Sequence, residues 1–212
     1  LNFAFLEGGV GWGRNLLLDL VGHWEKRNVA AMEANLRPTN LDLTELERLF
    51  RQYAPSTMEG RFKDFIASPS CLSPFIGVEE MADREVEWLD EFGALDLATG
   101  EELIEAFEKP FYFGCEADDR MTALAFDQRF GPELKPVFGS DISHFDVPDM
   151  SDVLHEAWEL VDDGLIDLRN FKNFTFDNVV HLHGGMNPNF FDGTTVEVEA
   201  RQALARGRKD MI

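Results

Sequence analysis

The chain has 212 residues, 44% of them apolar and 12% aromatic, which is enough side chain to close a core and too much for a disordered polypeptide. Forty Asp and Glu against nineteen Lys and Arg leave a formal charge of −21, which repels phosphate backbones and acidic lipid and so argues against nucleic-acid and membrane partners. Cys71 and Cys115 stand without CxxC or CxxH company, so neither a disulfide framework nor a zinc knuckle is expected, and the default address is reducing and cytoplasmic. No apolar run approaches the roughly 20 residues of a membrane span.

The run Phe3-Ala4-Phe5-Leu6, closed by Glu7-Gly8-Gly9, predicts a fully buried strand ending in a turn. Leu1 enters it with no polar approach, which suits a chain that starts inside a longer protein. Leu16, Leu20, Trp24, Ala31 and Leu36 predict a helix over 15–36, stopped by Arg37-Pro38. Asp42 with Glu45 three later caps a second helix through Leu46, Leu49, Phe50 and Tyr53, ending before Pro55. Residues 56–77 lack a period and predict a loop or short helices. Met81, Val86, Leu89 and Phe92 predict a helix over 79–92, and Thr99 with Glu102 caps another through Leu103, Ile104 and Phe107. Residues 37–109 thus form a helical insertion between the first two strands.

Phe111 to Cys115, bounded by Pro110, predicts the second strand, followed by the acidic turn Glu116-Ala117-Asp118-Asp119. A helix is expected through Met121, Leu124, Ala125 and Phe126, ended by Gly131-Pro132. Pro136 to Gly139 is the third strand, with a turn at Ser140-Asp141 and a helix from about Asp149 through Val153, Leu154, Trp158 and Val161. The tail, with Phe174, Phe176, Val179, Val180 and Leu182, reads as a terminal helix or extended segment, then an ordered turn at Asn187-Pro188-Asn189, and Arg201 to Lys209 as a surface helix or fray.

Three strand-then-helix units imply parallel strands joined by right-handed crossovers, an α/β architecture. Ligand crevices in such sheets open at the carboxyl ends of strands, and those ends here carry Glu7, Glu116 and Asp141. Carboxylates brought that close repel unless they share a proton or surround a cation, so a divalent metal is the natural expectation. Gly8-Gly9-Val10-Gly11-Trp12-Gly13 follows a strand and opens a helix as a dinucleotide fingerprint does, but Arg14 occupies the third-glycine position and Trp12 crowds the pyrophosphate, so no nucleotide is expected. His181-Leu182-His183 has metal-pair spacing if extended, yet no further ligand type is placed to complete a tetrahedral set, and a surface or capping pair is expected.

Taken together, Phe5-Leu6-Glu7-Gly8-Gly9, Phe113-Gly114-Cys115-Glu116-Ala117-Asp118-Asp119, Gly139-Ser140-Asp141-Ile142-Ser143-His144-Phe145-Asp146 and Asn187-Pro188-Asn189-Phe190-Phe191 resemble the amidohydrolase-2 family of metal-dependent TIM-barrel hydrolases and decarboxylases, in its carboxyl-terminal half only. The resemblance implies a partial (β/α)8 barrel in which the three strands are the sixth to eighth, and 1–212 is a single domain of that kind. Gly139-Ser140-Asp141 with His144 is similar to the end of the eighth strand, which implies that Asp141 binds zinc or manganese and accepts the proton of an activated water, with His144 lining the pocket. Leu6-Glu7-Gly8-Gly9 resembles the sixth strand, where many members carry His; Glu7 stands there instead, and a carboxylate at neutral pH donates no hydrogen bond to a substrate. Glu116 falls on the seventh strand, where the family offers no invariant ligand, so its role rests on the strand-end argument alone.

The family's first-strand HxH and fifth-strand His belong to the amino-terminal half, and His181 and His183 come too late in order to replace them. The expected function is therefore the carboxyl-terminal part of a metal-dependent hydrolase or decarboxylase acting on a small organic substrate. The alternative is a non-catalytic barrel part that self-associates, because three parallel strands leave an apolar edge; a homo-oligomer is expected. A third reading, an acidic interaction module, explains the charge but not the acids at the strand ends.

Overall fold

Strand residues alternate between faces, and that alternation decides what each strand buries. The computed structural model describes residues 1–28, 31, 42–66 and 92–207, and its strands are β1 (Phe3–Phe5), β2 (Phe111–Glu116) and β3 (Pro136–Gly139). They form one parallel sheet in the order β1-β2-β3, with Phe5 opposite Phe113, Phe113 opposite Pro136 and Glu116 opposite Gly139. The expected α/β class with three parallel strands is what the chain adopts. Central β2 is buried from Tyr112 through Cys115. β1 is not the fully buried strand its apolar run implied: Phe3 and Phe5 are 48% and 38% exposed. It lies at the sheet edge, and an apolar run cannot distinguish an edge strand from a central one.

Phe111, Phe113 and Cys115 share one face of β2. Trp12 meets Phe113 at 5.5 Å between ring centroids and Phe107 meets Phe111 at 5.2 Å on that face. Phe138, in register with Cys115, points the same way and meets Phe174 edge-on at 5.7 Å. Helices therefore cover one side of the sheet. The other side carries Tyr112, beneath the Lys135 ammonium at 3.7 Å from the ring centroid.

The first helix, Gly11–Arg27, begins four residues earlier than expected, inside the glycine run. Its glycine at 13 lets it pack closely on the sheet: a Cβ there would come within 2.8 Å of Phe113 Cζ. Arg14, one residue on, is 2% exposed and donates to four backbone carbonyls, from Nε to Leu124 at 3.2 Å, Nη1 to Phe130 at 3.2 Å, and Nη2 to Ala125 at 3.3 Å and Pro132 at 2.6 Å. The helix expected through Met121 and Phe126 is replaced by two short 3-10 turns, Arg120–Ala125 and Gln128–Phe130, with the fork holding carbonyls at the end of each. Asp119 and Asp127 side chains also accept from Met121 N and Arg129 N, turning the chain locally instead.

After β3 the helix Val153–Asp162 forms as expected. The tail is helical: Leu168–Lys172 continues through a π segment, Asn173–Asp177, into Asn178–Gly184, and Glu197–Arg206 packs on it through Val180, Ala200 and Ala203. Asn178 Nδ2 donates to the Pro136 carbonyl at 2.8 Å, fastening this helix to the start of β3.

The chain divides into two compact units, Leu1–Leu20 with Glu101–Ile212, and Val21–Gly100. The second covers most of the expected insertion at 37–109. Within it Asp42 caps the helix Leu43–Tyr53 by accepting from Thr44 N and Glu45 N, each at 3.0 Å, as its spacing implied. Phe50 packs on Phe62 and Phe65 of the short helix Phe62–Ile66, with centroids 5.5 and 5.0 Å apart. The helix expected over 79–92 lies outside the described residues except for Phe92.

Candidate functional site at the strand carboxyl ends

Parallel strands place their carboxyl ends on one side, so the sheet order sets Glu7, Glu116 and Asp141 on three adjacent strand exits. The turn after β1 depends on left-handed backbone at Glu7 (φ 58°) and Gly9 (φ 64°). Gly9 N donates to the Gly114 carbonyl at 3.0 Å, and a Cβ on Gly9 would sit 2.8 Å from Asp119 Oδ2, so glycine is required there twice over.

Asp141 and Ser143 after β3 are also left-handed, with φ of 49° and 83°. Such conformations in non-glycine residues cost about 1–3 kcal/mol each and gather at functional sites. His144 N donates to the Asp141 carbonyl at 3.0 Å, closing a turn that brings the imidazole Nδ1 to 3.5 Å from the Asp141 carboxylate Oδ2. The imidazole is about half exposed and the carboxylate less so.

Glu116 is held above the usual carboxylate range by partial loss of solvent first, then by Asp141, Asp118, Asp119 and Asp146. Those acids come from the turns after β2 and β3. The structure thus sets His144 against Asp141 and leaves Asp141 within electrostatic reach of Glu116, while Glu7 occupies the exposed exit of the edge strand. Asp118, Asp119 and Asp146 belong to the same acidic patch but escape a reading of strand ends alone; the signal for them is the acid run within each turn.

Among the described residues, no three His, Cys, Asp or Glu side chains are placed to hold a metal ion. His181 and His183 lie on a helix, where a spacing of two turns them about 200° apart, so they do not converge. His183 instead stacks on Phe190 at 4.5 Å and 9°. The Cys115 thiol, pushed up to about 11 by burial, donates to the Phe113 carbonyl at 3.5 Å and remains a neutral core group. Cys71 lies outside the described residues. Among them, no helix is long and apolar enough to cross a membrane.

No protein-family model matches the chain, and neither a curated protein nor a solved structure matches it.

Proposed function

We propose that the chain is the carboxyl-terminal part of a metal-dependent hydrolase or decarboxylase of the amidohydrolase kind, cytoplasmic and acting on a small organic substrate, with Asp141 as the carboxylate it supplies to the site. The observation that carries this reading is the strained turn after β3, which spends backbone energy to hold Asp141 against His144. Helical packing on the face of β2 that carries Phe111 and Phe113 is compatible with a barrel arc.

The described residues do not by themselves make a metal-holding set. What they offer is one arm of such a site: Asp141 as ligand and as acceptor of a proton from attacking water, His144 turned onto it, and Glu116 and Glu7 flanking. All five histidines of the chain are among the described residues, so on this reading the remaining imidazoles belong to the amino-terminal half of such a barrel. The test is a competition titration with zinc and with manganese, comparing the chain with Asp141→Asn. Loss of a first ligand should weaken binding by tenfold or more, since even supporting partners are worth 10- to 100-fold. Equal affinity in the variant contradicts the assignment.

A second reading, assembly without catalysis, is favoured by β1, where Leu1, Phe3, Phe5 and Leu6 are 91%, 48%, 38% and 74% exposed. Covering that edge with a second copy makes a homo-oligomer, which light scattering detects.

A further inference from the structure

A strand at a sheet edge offers unpaired N–H and C=O groups to any chain that can match them, and natural edges are blunted by charge, proline or cover. β1, Phe3-Ala4-Phe5, carries no charge and no proline, and all three residues are exposed. Phe3 N donates to the Pro110 carbonyl at 2.7 Å, so Phe3 and Phe5 spend their backbone groups on β2, and those of Ala4, which alternate with them, face the open side. The opposite edge of the sheet is occupied where β3 begins. There the Lys135 carbonyl accepts from Phe113 N, which turns the next carbonyl, that of Pro136, outward onto Asn178 Nδ2 at 2.8 Å.

The open edge continues into apolar surface. Phe5 meets Trp12 edge-on at 4.9 Å between centroids, and Trp12 and Leu16, one helical turn apart, are each 40% exposed. Phe3, Phe5, Leu6, Trp12 and Leu16 together leave roughly 500 Å² of apolar surface open, taking about 200 Å² for a fully exposed side chain of this kind. A standard interface takes about 800 Å² from each partner, about 60% of it apolar, so this strip supplies the apolar share that a stable dimer needs. Each copy carries a formal charge of −21, and the register decides whether that charge opposes contact. Antiparallel pairing about a two-fold axis at Ala4 sets the two Ala4 residues together and Phe3 of each copy against Phe5 of the other. It keeps the two Glu7 residues about 20 Å apart, beyond the Debye length of roughly 8 Å at physiological salt.

We propose that β1 is a self-pairing strand: two copies of the chain join antiparallel through Ala4 into one six-stranded sheet, with Phe3, Phe5 and Trp12 of both beside the seam. The proposal rests on the assembly reading above, to which it adds the surface, the register and a limit of two chains.

Sedimentation equilibrium of the full chain should give a dimer. Ala4→Pro removes an N–H that β2 does not use and blocks the pairing, so it should give monomers with an unchanged far-UV circular dichroism spectrum. Phe3→Lys puts a charge on the edge without altering the backbone and should raise the dissociation constant at least about tenfold. In a Cys71→Ser background, Ala4→Cys should form an intermolecular disulfide on mild oxidation, since antiparallel residues that exchange hydrogen bonds lie about 5.5 Å apart at Cα, whereas Asn2→Cys, about 13 Å from its counterpart, should not. A monomer at all concentrations overturns this proposal and the assembly reading together. A dimer unaffected by both Ala4→Pro and Phe3→Lys, or one cross-linked through Asn2→Cys and not through Ala4→Cys, overturns the edge pairing alone and leaves assembly standing.

Discussion

His144 Nδ1 lies 3.5 Å from the Asp141 carboxylate Oδ2, across a turn whose first residue, Asp141, has a φ of 49°. The backbone there is adapted to glycine and is occupied by an acid. Asp141→Gly and Asp141→Ala remove the same charge and differ in whether a Cβ must enter the left-handed region. Asp141→Gly should therefore be more stable than Asp141→Ala by about 1–2 kcal/mol in urea unfolding. Equal stability would mean that the turn relaxes without cost and that no strain is stored at the site.

Gly13 sits in the first helix, where an exposed glycine would gain about 1 kcal/mol on replacement by alanine. Here the sign should reverse. The added methyl meets the Phe113 ring in the core, and overpacking costs about 1–3 kcal/mol, so Gly13→Ala should lower stability. In a Phe113→Leu background most of that penalty should vanish. A Gly13→Ala protein that melts above the parent would contradict the packing.

Arg14→Met should cost about 3 kcal/mol or more, because the carbonyls of Leu124, Ala125, Phe130 and Pro132 lose a shared donor at a buried position. Arg14→Lys should restore less than half, since one ammonium cannot reproduce a planar fork of donors. Full stability in Arg14→Lys, read by chemical denaturation, would show that only charge matters there.

Much of this was legible in the sequence because it is local. Pro110 and Pro136 bound the apolar runs of β2 and β3, and Asp42 marks the helix it caps. What was not legible depends on partners far along the chain. Met121, Leu124 and Phe126 have helical spacing, but the carbonyls around them are claimed by Arg14, more than a hundred positions away. Residues 179–183 suit a strand as well as a helix, and the choice follows from packing of Val180 on Ala200 and Ala203. At the site, the strand-end acids were readable from order alone, whereas the approach of His144 to Asp141 and the exposure of Phe145 follow from left-handed backbone that composition does not announce.

Glu116 is protonated more readily in the folded chain than in the unfolded one, through desolvation and the four neighbouring aspartates. The folded state then binds more protons, so stability is full below the ordinary glutamate range and declines as pH rises through the raised value. Glu116→Gln should accordingly stabilise the protein at neutral pH and make little difference in acid, with the neutral-pH gain shrinking in high salt. A variant less stable than the parent at pH 7 would require Glu116 to have a favourable charged partner.

A chain with a formal charge of −21 attracts cations broadly, so the decisive measurement is where an ion settles and not merely whether one binds. Manganese titrated into isotope-labelled protein broadens the NMR signals of the nuclei nearest to it. The first signals lost should be those of Glu116 and of residues 141–146, and Asp141→Asn should abolish that selectivity. Early broadening elsewhere on the surface, or the same pattern in Asp141→Asn, would contradict a metal-directed site at the strand carboxyl ends.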